Sequence, residues 1–133
     1  MKTIIKLFII FFVMRIGYSQ QLVQNISNIH RLKDNEATFV NKPLKDLLKE
    51  IKPEIKIAFP NNENPSFDFR FLTAEQLRKN EGTVVENVAL FVDVKDFIDW
   101  NWEQRPKGRE TNWTKEDAEK YGNMIVTRIS IVY

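Results

Sequence analysis

Trp100 and Trp102 alternate in the run Asp99-Trp-Asn-Trp-Glu103, and Trp113 follows the basic loop Arg105-Pro-Lys-Gly-Arg109. On a strand, alternation turns the first two indoles to the same side. Exposed, such a pair stacks on a sugar ring or anchors a protein partner, with neighbouring Asp, Asn and Arg groups supplying hydrogen bonds. Buried, the same rings are core, and Trp113 staples a helix entry, because a small domain needs its large apolar side chains inside. Both alternatives stay open on the sequence. The candidate binding surface comprises Trp100, Trp102, Trp113, Arg105 and Arg109. Arg105, Lys107 and Arg109 have the charge to meet a carboxylate or phosphate, but Glu103, Glu110 and Glu116 surround them and favour local pairing in solvent.

Other chemistry has less support. The single histidine, His30, stands in a weakly patterned stretch with no nucleophile or orienting acid indicated around it. The chain has no cysteine, which removes disulfides, thiolate metal sites and a Cys nucleophile together. None of the Gly-rich nucleotide signatures, the nucleophile elbow or the HExxH zinc motif occurs, and no cofactor is implied. Asp93, Asp96 and Asp99 recur every third residue. On a helix they would gather for Ca²⁺, whereas on a strand Asp96 points away from the other two and the cluster dissolves into a solvated edge. Asn25-Ile-Ser27 and Asn112-Trp-Thr114 match the glycosylation pattern, which matters only on a eukaryotic secretory route.

The elements that must position these residues follow from periodicity. Residues 20–35 lack a firm period and read as a loosely ordered arm with a short helix over 22–29. Residues 36–40 read as a short strand. Asn41 is placed to cap a helix with Pro43 in its first turn, and Leu44, Leu47, Leu48 and Ile51 form one apolar face before Pro53 stops it. Residues 54–59 return as a strand, and 60–65 form a turn-rich loop. Phe67-Asp-Phe-Arg-Phe71 alternates strictly, as a half-buried strand does. Thr73 with Gln76 makes a capping box for a short helix closed by Gly82. Residues 84–94 form the longest β-like run, with 95–102 continuing it after a bend. Thr114 with Asp117 caps a further helix ending at Gly122. The chain closes on a strand over 124–133, with Ile125, Thr127, Ile129, Ile131 and Tyr133 on one face. This order predicts an α+β fold: one small domain over 36–133, with a mixed or mainly antiparallel sheet and two to three short helices on one face.

The 133 residues are enough for one core, and 43% hydrophobic with 29% charged residues is a globular balance. Residues 1–19 have the order of a secretory signal: Lys2, an apolar run to Val13, then Gly17 and Ser19 as small residues before the cut. The apolar run of about ten residues rises only about 15 Å as a helix, against a hydrocarbon core of roughly 30 Å. Cleavage after Ser19 would leave no stable membrane span. It would also take the basic count from 20 to 17 against 18 acids, which turns the formal charge from +2 to −1 and removes the charge argument for nucleic acid. The expected destination is the periplasm or the exterior.

Two resemblances extend this reading. The export signal ending Tyr18-Ser19-Gln20 resembles those of small envelope proteins of Bacteroidota-type bacteria. The stretch Thr38-Phe-Val-Asn-Lys-Pro-Leu-Lys-Asp-Leu-Leu-Lys-Glu-Ile51 is similar to the opening strand and helix of the secretin and TonB short N-terminal domain, which implies contacts between envelope proteins. The sequence thus points to an exported, non-enzymatic module that binds a macromolecule, an envelope protein or a glycan. One alternative is a glycan- or small-ligand-binding domain using surface tryptophans. A second is a small carboxylate-dependent enzyme built on Asp93, Asp96 and Asp99. The sequence leaves the oligomeric state open.

Overall fold

Alternation in Phe67-Asp-Phe-Arg-Phe71 builds the central strand of the sheet: Phe67, Phe69 and Phe71 are buried, while Asp68 and Arg70 turn outward and pair with each other at 2.7 Å. A computed structural model describes residues 20–133 around that strand; the expected signal peptide lies outside the described residues. Four strands, β1 (Ile57–Asn61), β2 (Ser66–Arg70), β3 (Ala89–Val94) and β4 (Val126–Val132), lie in chain order with every neighbour antiparallel. The five short helices are α1 (His30–Asp34), α2 (Glu36–Phe39), α3 (Leu44–Leu48), α4 (Ala74–Arg78) and α5 (Lys115–Tyr121). The α+β expectation holds, with more helical pieces than the two or three expected.

The register sorts the sheet into two faces. Phe67 lies opposite Val92, which lies opposite Ile129, and the next row joins Ala58, Phe69, Leu90 and Ile131. This face meets Leu32 of α1, Phe39 of α2, Leu44 and Leu47 of α3 and Tyr121 of α5 in one continuous core. The opposite face carries Phe59, Asp68, Phe91 and Ser130 in a cross-strand row that no helix of that core covers.

Several local expectations are corrected. Residues 20–35 are held firmly: Val23 bridges Ile51 through backbone bonds to Glu50 (2.8 Å) and Lys52 (2.9 Å), and Val23, Ile29 and Leu32 are fully buried. Within 22–29 the chain makes a 3-10 turn over Ile26–Asn28, and the α-helix of the stretch, α1, follows it. Residues 36–39 form α2 rather than a strand, so the segment resembling a strand-helix opening is a pair of helices about the turn at Asn41. Asn41 does not cap α3. It adopts a left-handed φ of 66°, and its N–H donates to Val126 O (2.8 Å). The β3 strand begins only at Ala89, with Val84 exposed in the turns before it, and 95–102 does not continue it. Helix α4 keeps its capping box but ends near Asn80, itself left-handed at 52°.

In β4 the pairing slips between Asp93 and Val94, so that Asp93 faces Arg128 while Val94 faces Val126. Thr127 is the extra residue of this bulge. Val126 is therefore buried along with Ile129, and Thr127 is exposed instead of sharing their face. Helix α5 ends at Gly122 as expected. A Cβ there would sit 2.6 Å from Ala118 O and 3.3 Å from Lys45 Cβ, so the bare backbone lets α3 approach, and Lys45 N–H donates to Gly122 O at 2.8 Å.

Both sheet edges are occupied over part of their length. Beside β1, Ala58 N–H donates to Thr111 O (2.9 Å) and Trp113 N–H to Lys56 O (3.0 Å), while Pro60 offers no N–H. Beside β4, Glu36 accepts from Ile129 N–H (2.7 Å), and Lys33 Nζ donates to Ile129 O (2.9 Å) and to Glu36 (3.0 Å). The backbone of Lys42 takes the amide of Val126 at 2.9 Å. Charged side chains at an edge are a recognised guard against further strand pairing.

Candidate functional site

A groove of about 770 Å³ runs along the uncovered face of the sheet where the segment after β3 crosses the β1–β2 hairpin. Its floor is Phe59, Asp68 and Phe91, with Ser66 and Asn61 at the hairpin end. Its wall is the run 97–104. The wall is fixed first at Ile98, which is buried: its N–H donates to Asn62 Oδ1 and its carbonyl accepts from Asn62 Nδ2, both at 2.8 Å. The Asn62 side chain thus stands in for one rung of a strand ladder.

Trp100 is the second anchor. It is 3% exposed, and its indole N–H donates to Glu110 O at 2.9 Å. Its ring stacks on Tyr121 (5.6 Å between centroids, 19° apart) and Trp113 (6.4 Å, 13°), and tilts against Phe67 (6.3 Å). Trp113 in turn meets Phe69 edge-on at 5.0 Å. These rings belong to the core.

Arg105 closes the wall from below. Its guanidinium lies 3.4 Å from the Trp100 ring centroid, its Nε donates to Trp100 O (2.8 Å), and two nitrogens grip Asp117 at 2.6 and 3.2 Å. Both partners are largely buried. Asp117 also completes the capping box of α5, accepting from Thr114 N–H (3.0 Å) while its own N–H donates to Thr114 Oγ1 (3.1 Å). One carboxylate therefore starts a helix and clamps a loop.

Between these anchors the chain reverses at Asn101, left-handed at φ 52°, and enters a 3-10 turn over Trp102–Gln104. Asn tolerates this conformation better than most residues because its short amide bonds locally. Here the amide donates to Asp99 Oδ1 (2.9 Å) and accepts from Lys120 Nζ (3.0 Å). Lys120 also donates to Asp99 O (2.9 Å), which the Tyr121 hydroxyl shares. The reversal separates the two indoles: Trp102 leans on Trp100 at 6.3 Å and 59° but remains 51% exposed over the groove. Phe97, 71% exposed, stands earlier in the same wall, and Phe59 on the floor is 38% exposed.

Of the five residues nominated from sequence, only Trp102 lines the groove as an exposed ring. Trp100, Trp113 and Arg105 build its support, and Arg109 sits exposed on the loop beyond. The same-side expectation for the two tryptophans is corrected by the left-handed turn between them. Phe59, Phe91 and Phe97 were not nominated. Their signal was aromatic rings at positions the alternation assigns to the polar face, or inside an acidic loop. The aspartates at 93, 96 and 99 do not converge: Asp93 accepts from Asn64 (3.3 Å), Asp99 from Asn101, and among the described residues no group of three potential ligands is placed to hold a metal ion. His30 is exposed on α1, on the helical side of the sheet.

Two carboxyls lie below their ordinary value, both outside the groove. Glu36 is lowered chiefly by the Ile129 N–H, then by Lys33, and Glu86 by the Thr83 N–H and hydroxyl. Comparison with family models, curated proteins and solved structures found no match. Among the described residues no helix is long and apolar enough to cross a membrane.

Proposed function

We propose that this is an exported, non-enzymatic binding module whose ligand lies in the groove on the open face of the sheet. The observation that carries this reading is Trp102, held half-exposed beside a groove of about 770 Å³ by a fully bonded scaffold of Ile98, Trp100, Arg105 and Asp117. A large exposed aromatic on a rigid mount, rimmed by amides and carboxylates, is the composition of a recognition site. Such a mount keeps the ring in place before the ligand arrives and lowers the ordering cost of binding. The order of residues 1–19 supports export, and the envelope is where a partner is sought.

The test compares retention of envelope extract on immobilised wild type and on the Trp102→Ala/Phe97→Ala double variant. A species held by wild type and lost by the double variant supports the groove. Equal retention by both removes it. N-terminal sequencing of protein recovered outside the producing cells checks the export half, with Gln20 as the expected first residue.

A further inference from the structure

The groove is unusual in its charge. Among the described residues no Lys or Arg lines it, whereas Asp68, Asp99 and Glu103 do. Arg70 neutralises Asp68 through a two-pronged pair at 2.7 and 2.9 Å, and Lys120, 2.9 Å from the Asp99 carbonyl, offsets Asp99 in part, which leaves Glu103 chiefly to set the sign of the site. A groove of that sign repels uronates, sulfates, phosphates and nucleic acid. The rings bear on the remaining choices. Trp102 leans back on Trp100 rather than turning toward Phe97 or Phe59, so the exposed rings do not close round one point as a cage for an ammonium group does. They offer separate flat platforms, and between them stand acceptors and amides such as Asp99, Glu103 and Gln104. Flat apolar faces alternating with paired hydroxyls are the chemistry of a pyranose chain. A volume of about 770 Å³ lies in the upper part of the roughly 300–1,000 Å³ range of small-molecule sites, room for more than one ring.

From this we infer that the occupant of the groove is an uncharged oligosaccharide, stacked on Trp102 and Phe97 with its hydroxyls donating to Asp99 and Glu103. The inference rests on the groove being the binding site. Calorimetric titration of the purified protein would use cello-, malto- and N-acetylchito-hexaose as uncharged probes. Oligogalacturonate serves as the anionic probe and fully de-N-acetylated chitohexaose as the cationic one. The expected result is saturable binding of at least one uncharged probe, none of oligogalacturonate, and binding weakened about tenfold or more in Trp102→Ala and in Phe97→Ala. Glu103→Lys should then admit oligogalacturonate. Trp102→Phe, which keeps a ring, should retain most of the affinity and shows that the Ala variants lose stacking rather than fold.

Failure of all three uncharged probes overturns the inference. If the cationic or anionic probe binds instead and Trp102→Ala abolishes it, the ligand class is wrong and the groove stands. If an uncharged probe binds equally to wild type and to both Ala variants, the inference and the groove reading fall together.

Discussion

The two faces of the sheet use the same kinds of residue to opposite ends. On the helical face Phe67, Phe69, Trp100 and Tyr121 are buried and pack ring against ring, with the partly buried Trp113 against them. On the other face Phe59, Phe97 and Trp102 stand apart and partly bare. Trp100 and Trp102 make the contrast within three residues: one is wedged between Arg105 and Tyr121, the other stands outside the same wall. Aromatic content therefore says little about role until the backbone between the rings is known. Here a single left-handed asparagine separates the indole that packs in the core from the one that stays exposed.

Substitutions that remove the mount break the contrast most severely. Arg105→Ala strands the buried Asp117 carboxylate and takes a partner from Trp100, with an expected loss of about 3–5 kcal/mol in urea unfolding. Trp100→Ala empties a core site and should cost a similar amount, about 3–5 kcal/mol by the same measurement. Asn101→Val forces a β-branched residue into the left-handed turn and should cost about 1–2 kcal/mol, whereas Asn101→Gly should be nearly neutral in stability. Trp102→Ala sharpens the comparison from the other side. Its free energy of unfolding should stay within about 0.5 kcal/mol of wild type while ligand retention is lost. A large loss of stability at Trp102 would mean that the two faces are not separable.

The strongest periodic signals translated directly into structure. The Phe67–Phe71 alternation and the Thr73 and Thr114 capping boxes are local patterns with local causes, and each lies where the sequence places it; the leucine face of α3 begins as expected at Leu44 but the helix ends at Leu48, and Ile51 pairs with Val23 instead. The misplacements have tertiary causes. Residues 36–39 carry β-tolerant Thr and Phe, yet Glu36 is needed at the edge of β4 and the chain there is helical. The bulge at Thr127 is set by pairing with Asp93 and Val94, residues more than thirty positions away, so no alternation rule within β4 could show it. The groove was legible only in part. Trp102 was nominated, but the reversal at Asn101 depends on Lys120 and on the Arg105–Asp117 pair, which are assembled only when α5 docks.

The pair at the rim of β4 gives the pH dependence its sign. Glu36 sits below its ordinary value of 4.5 because the Ile129 amide and Lys33 favour its charged form. Its contribution is therefore fully present above that value and is lost as pH falls through the lower folded value. Glu36→Gln should cost about 1–2 kcal/mol at neutral pH and flatten the loss of stability below pH 4.5, read from unfolding curves across the acid range. The same carboxylate has a consequence for solubility. An outermost strand with a free amide is a template on which another chain can add. By occupying the Ile129 amide, Glu36 denies that position to an added strand, and the guard is withdrawn only in acid below the ordinary carboxylate value.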